Sequence, residues 1–167
     1  RMMAGLLSPD HGTLVWNDAS IAEDRDAHRA RINYIGHLDG VKAMLSVGEN
    51  IRFWMNLRNS GPFDQMRYHS ALETFGIARL AATPARFLSA GQRRRTALAR
   101  LVACPAPIWL LDEPATALDA DAAAALDHAM ASHLGTGGMV VMSTHEPMQR
   151  PVPRIDLDSF AVSVRIA

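Results

Sequence analysis

Two stretches of the chain are apolar at consecutive positions, Ile108-Trp109-Leu110-Leu111 and Met139-Val140-Val141-Met142. Apolar runs of this length, bounded by turn residues, are what strands buried in a parallel sheet look like. Residues 31–36 read as another strand, ending at His37, and residues 13–17 as a further one that Asn17-Asp18 turns back. Between 39 and 86 the pattern becomes mostly helical. Ser46 and Glu49 have the spacing of a capping box, and Ile51, Trp54, Met55 and Arg58 follow at helical intervals. Gly61-Pro62 and Thr83-Pro84 punctuate this part. A second capping box, Ser89-x-x-Gln92, opens a helix over about 90–103, which Cys104-Pro105-Ala106-Pro107 stops. Asp119 caps an alanine-rich helix that fades near Gly135–Gly138. Residues 1–7 read as the end of an apolar helix and 8–12 as a turn, while 155–157 and 160–166 read as short terminal strands. Strand, helix and strand in this order predict parallel pairing with right-handed crossovers, hence an α/β fold in one domain.

Composition narrows the function classes. The chain has 167 residues and is 49% hydrophobic, enough for a sizeable core. Its 17 basic and 17 acidic residues cancel, so no global field draws it to nucleic acid or anionic lipid. One cysteine, Cys104, excludes an intrachain disulfide framework and fits a reducing compartment. No apolar run approaches the roughly 20 residues that span a bilayer. The apolar opening Arg1-Met2-Met3-Ala4-Gly5 has neither a cap nor a charged first turn, which predicts a chain that has lost the start of its first helix.

The chemistry gathers at the ends of these elements. Ser89-Ala90-Gly91-Gln92 opens a helix whose N-terminus carries partial positive charge and unpaired amides. A serine hydroxyl and a glycine that lets an anion approach the backbone make this turn a candidate site for a terminal phosphate. Taken alone it is also an ordinary capped helix, with Arg93, Arg95 and Arg100 on a solvated or salt-bridged face. Asp112-Glu113 ends a buried strand, where open α/β sheets bind ligands. Asp112 could hold magnesium through water and Glu113 could accept a proton from an attacking water; the plain alternative is two solvated acids at a turn. His145 ends the next apolar run and could bond a phosphate or the same water. Asp119 is first a helix cap and second a contact across an interface. No Gly-x-x-x-x-Gly-Lys-Ser/Thr phosphate loop is present, and the single lysine, Lys42, has no glycine-rich run before it.

In this order the motifs resemble those of the ATP-binding cassette ATPases, the motor subunits of ABC transporters. Leu88-Ser89-Ala90-Gly91-Gln92 resembles the family signature, Ile108–Glu113 the Walker B strand with its catalytic glutamate, Ala117-Leu118-Asp119 the D-loop and His145 the switch histidine. The resemblance implies a P-loop NTPase-like domain over 1–167 that lacks the Walker A part, with a mixed sheet and a helical subdomain inserted at about 41–86. It implies ATP and Mg2+ as cofactors. A second copy would bind head to tail, with ATP between the Walker A loop of one copy and residues 88–92 of the other. Two departures accompany it: Walker A would lie ahead of Arg1, so that these 167 residues by themselves should hydrolyse ATP negligibly, and His37 stands where the family has its Q-loop glutamine.

Tyr34-Ile35-Gly36-His37, the Leu45–Trp54 pattern and Arg154-Ile155-Asp156-Leu157 are similar to the branch of the family that serves the haem exporter of cytochrome c biogenesis. That implies an integral membrane subunit as partner, haem only indirectly, no nucleic acid, and a peripheral place on the cytoplasmic face of the inner membrane. An ABC ATPase for another substrate, a soluble ABC protein and a non-catalytic fragment remain open at this stage.

Overall fold

The computed structural model describes residues 1–58, 61–145 and 152–160. Residues 1–6 form a turn, without a helix: Leu6 N–H donates to Arg1 O at 3.0 Å and Gly5 N–H to Met2 O at 2.9 Å. Gly5 sits at φ +66°, the left-handed conformation that this turn needs. A short hairpin follows, β1 (Val15–Trp16) paired antiparallel with β2 (Ala19–Ser20). Asn17 and Asp18 both have positive φ, 49° and 63°, as a two-residue hairpin turn requires. Asp24 caps α1 (Arg25–Ala30) by accepting from Ala27 N–H, and β3 (Ile32–Ile35) comes next. β2 and α1 are too short for periodicity to reveal.

The helical part contains α2 (Val47–Arg58) and α3 (Gln65–Thr74). The Ser46–Glu49 capping box forms as expected: Ser46 N–H donates to Glu49 Oε2 at 2.7 Å and Glu49 N–H to Ser46 Oγ at 3.2 Å. These bonds, the backbone one first, hold the Glu49 carboxyl below its ordinary pKa. α4 (Ala90–Ala103), β4 (Ile108–Asp112), α5 (Ala120–Gly135) and β5 (Met139–Ser143) complete the described elements, apart from short 3-10 turns. Each lies where the apolar pattern predicts it.

β3, β4 and β5 make a parallel sheet in the order β3-β4-β5, with Ile35 opposite Leu111 and Asp112 opposite Ser143. The mixture of strand directions resides in two sheets, the antiparallel hairpin and this parallel one. Alternate β4 residues serve opposite faces. Trp109 and Leu111 join the main core with Ile51, Met55, Phe75, Leu98 and Leu101, while Ile108 and Leu110 meet Ala4, Ile32 and Trp16 on the hairpin side. β5, though apolar throughout, packs only Val140 and Met142 inward; Met139 and Val141 are 41% and 44% exposed. One expectation fails at the C-terminus. Residues 157–160 form a 3-10 turn, not strand, and Ile155 is exposed at 76%, without a neighbouring strand to bury it. The rest of that expected strand, 161–166, and Glu146-Pro147 lie outside the described residues. None of the described helices is long and apolar enough to cross a membrane.

Candidate active site

Because β3, β4 and β5 run parallel, their C-terminal ends share one edge of the sheet, the edge where open α/β folds bind ligands. That edge carries Gly36-His37 after β3, Asp112-Glu113 at the end of β4 and Ser143 to His145 at the end of β5. The ladder delivers its acids in fixed register. Glu113 N–H donates to Ser143 O at 3.1 Å, and Ser143 Oγ donates to Asp112 Oδ1 at 2.6 Å. His145 Nε2 lies 3.4 Å from Glu113 Oε1, with the imidazole 96% exposed and the carboxylate 28%. The sequence-predicted acid, base and histidine are thus brought together, and Ser143 joins them unannounced.

Glu113 has φ +47°. For a residue with a Cβ the left-handed region costs about 1–2 kcal/mol, and such strain concentrates where chemistry needs a side chain re-aimed. The compensation is visible. The guanidinium of Arg94, only 4% exposed, donates to three consecutive carbonyls: Asp112 O at 3.1 Å, Glu113 O at 2.7 Å and Pro114 O at 3.2 Å.

The Ser89–Gln92 turn stands at the head of α4. Ser89 Oγ accepts from Gln92 N–H at 3.2 Å and Gln92 Oε1 accepts from Ser89 N–H at 3.0 Å. With the capping box closed, helix geometry leaves the amides of Ala90 and Gly91 without an intrahelical acceptor, and Ser89 and Ala90 are exposed. This is the chemistry of an anion site and fits a nucleotide phosphate. The glycine also has a packing reason: a Cβ at Gly91 would come within 3.0 Å of Ala117 O. Leu88 is 6% exposed, in the core, so its side chain anchors the turn. Asp119 caps α5 through Ala122 N–H at 2.9 Å and accepts from Arg95 Nη2 on both oxygens. The Arg95 bond, more than the Ala122 amide, holds its carboxyl below the usual carboxylate range. α4 and the Asp119 turn are therefore latched together.

His37 is exposed in the loop after β3. Arg94 and Arg100 do not lie on a solvated face. Arg100 is 9% exposed, stacks 4.0 Å over Trp54 and donates to Tyr34 O at 3.0 Å, and burial pushes its pKa down to about 10. Among the described residues no three His, Cys, Asp or Glu side chains converge on a metal cage. Asp112 instead offers the hard carboxylate oxygens that Mg2+ takes beside waters and substrate phosphates.

A parallel α/β sheet edge with this acid pair, beside a helix-capping turn with free amides, is an arrangement suited to phosphate chemistry. The family model described as ABC transporter matches residues 1–116, and the chain belongs to that family. It is 52% identical over 165 residues to the cytochrome c biogenesis ATP-binding export protein CcmA of Paramagnetospirillum magneticum, covering 98% of this chain and 76% of that one. It is 46% identical to the CcmA of Rhodospirillum rubrum, covering 96% of this chain and 68% of that protein. The fold matches the dimeric post-hydrolysis structure of the ATP-binding cassette MJ0796 bound to ADP and Pi at TM-score 0.77 and 24% identity, over 87% of this chain and 67% of that one. A putative ABC transporter ATP-binding protein from Pyrococcus furiosus matches at TM-score 0.74 and 23% identity, over 89% and 71%.

Proposed function

We propose that this chain is the ATP-binding and hydrolysing subunit of the ABC exporter that serves cytochrome c biogenesis, the haem exporter. It works as a head-to-tail pair of copies, peripheral on the cytoplasmic face of the inner membrane, and drives an integral membrane subunit. The observation that carries the hydrolytic part is the convergence of Asp112, Glu113, Ser143 and His145 on one sheet edge. The similarity to CcmA over 98% of the chain supports the exporter part.

In this reading Glu113 accepts the proton of the attacking water. His145, within reach of the same carboxylate, holds the γ-phosphate side of the reaction. Asp112, oriented by Ser143, holds Mg2+ through water. Ser89, Gly91 and Gln92, with the Ala90 amide, face the ATP of the partner copy, and Asp119 stands beside them at the interface. His37 takes the place between nucleotide and membrane subunit. Positioning and charge stabilisation then supply most of the rate. Residues 41–86 make the helical subdomain, and the part of α2 around Phe53 receives the membrane subunit. Residues 1–167 hold no lysine-bearing phosphate loop, so in this reading they hydrolyse ATP negligibly by themselves.

With a phosphate loop in place, Glu113→Gln removes the base and leaves the binding contacts, so it should abolish turnover and accumulate an ATP-bound dimer. Phosphate release, together with size exclusion in ATP and magnesium, reads both. A Glu113→Gln protein that binds ATP yet stays strictly monomeric contradicts the paired arrangement.

A further inference from the structure

Arg94 spends every hydrogen-bond donor it has. A guanidinium carries five N–H groups in a fixed planar fork. Here Nε donates to Pro114 O, Nη2 to Asp112 O and Glu113 O, and Nη1 to Gly36 O and Asp39 Oδ1, the last two at 3.0 Å. The five acceptors belong to two segments that this side chain joins: the loop after β3 that carries His37, and the strained turn that carries Glu113. The side chain itself grows from α4, five residues after Ser89. Asp39, with its side chain 21% exposed, supplies the countercharge that a buried cation requires.

The fork ties the Glu113 turn beside two backbone bonds, Glu113 N–H to Ser143 O at 3.1 Å and Thr116 N–H to Glu113 O at 3.3 Å. An extended chain points successive carbonyls to opposite sides. The left-handed φ of Glu113 turns three in succession towards one guanidinium, and no fewer than three of the five donors are used there. Without them the turn has less reason to remain strained, and relaxation of φ at Glu113 swings its carboxylate away from His145. We propose that Arg94, neutralised by Asp39, is the positioning residue that keeps Glu113 in its hydrolytic conformation and ties it rigidly to the His37 loop and to the helix whose N-terminus faces the partner's nucleotide. Displacement of α4 then alters the base directly, through a single side chain, with no relay of packed groups between. The inference rests on Glu113 being the base.

The test is steady-state ATP hydrolysis by the hydrolysis-competent dimer, with thermal melts alongside, for Arg94→Lys, Arg94→Gln and the double variant Arg94→Gln/Asp39→Asn. Lysine keeps the charge opposite Asp39 but cannot reproduce the fork. The double variant removes both buried charges together, so it avoids leaving either one unpaired. All three should lower kcat on the order of 10- to 100-fold, the cost of a small misplacement of a reacting group, with KM for ATP changed less than threefold. The double variant should melt nearer to the parent than Arg94→Gln does, without regaining kcat. Arg94→Lys at parental kcat, or a double variant in which turnover returns with stability, overturns the proposal. Glu113→Gln in the same assay separates the two claims. If that variant is inactive while the Arg94 variants are unimpaired, only the positioning role fails. If Glu113→Gln turns over normally, the reading of the base itself fails.

Discussion

Arg93, Arg94 and Arg95 follow one another on α4 and meet three environments, because successive helical positions are rotated by about 100°. Arg93 is exposed, Arg94 is buried beneath the Glu113 turn, and Arg95 bridges Phe75 O and Asp119. A basic run in the sequence looks like one solvated face. The apolar stripe tells otherwise, since Arg94 shares its helical side with Ala97, Leu98 and Leu101, all buried. The Arg95–Asp119 contact makes a testable statement about acid. The depressed pKa of Asp119 means that its contribution to stability is fully present above the ordinary aspartate value of about 3.9 and is lost as pH falls through the lower folded value. Asp119→Asn keeps a side chain able to cap α5 but removes the charge. Melting temperatures of parent and variant should therefore differ at pH 6 and converge towards pH 2. Parallel curves over that range would show that the charge of Asp119 contributes nothing.

Among the elements, those with long period or unbroken apolar runs were legible. α2, α4, α5, β3, β4 and β5 all fall where patterning and caps put them. α1, with six residues, and β2, with two, carry too little repeat to register. Ile155 and Leu157 alternate with polar residues as a strand does, yet both are 76% exposed and neither lies in a strand. Of the site, the residues on recognisable motifs could be read, whereas Arg94, Asp39 and Ser143 act through contacts between segments distant in the chain. α2 shows how neighbours diverge. Met55 is 1% exposed in the core, while Phe53 is 37% exposed with Lys42 Nζ 4.6 Å above its ring. Met55→Ala should cost about 2–5 kcal/mol in urea unfolding. Phe53→Ala should cost less, about 1–2 kcal/mol for its edge contact with Trp54 and the Lys42 cation over its ring, while losing copurification with the membrane subunit. If Phe53→Ala keeps the partner, that face is not the dock.

At the scale of the whole molecule, hydrolysis and cargo rest on different grounds. The hydrolytic geometry we propose lies in a few residues on one sheet edge, and an edge of that kind can serve any cargo. The link to cytochrome c assembly is spread along the chain, in 52% identity over 165 residues to a CcmA protein. The two grounds can therefore fail separately. A host lacking its own haem-exporter ATPase, given this protein with a phosphate loop in place and the cognate membrane subunit, should regain holo-cytochrome c, and the Glu113→Gln version should restore none. Haem-stained cytochrome c in membrane extracts measures it. If both versions assemble with the membrane subunit and the active one hydrolyses ATP yet no holo-cytochrome appears, the cargo assignment is lost. The hydrolytic assignment stands in that case, because Asp112, Glu113, Ser143 and His145 meet independently of what is carried across the membrane.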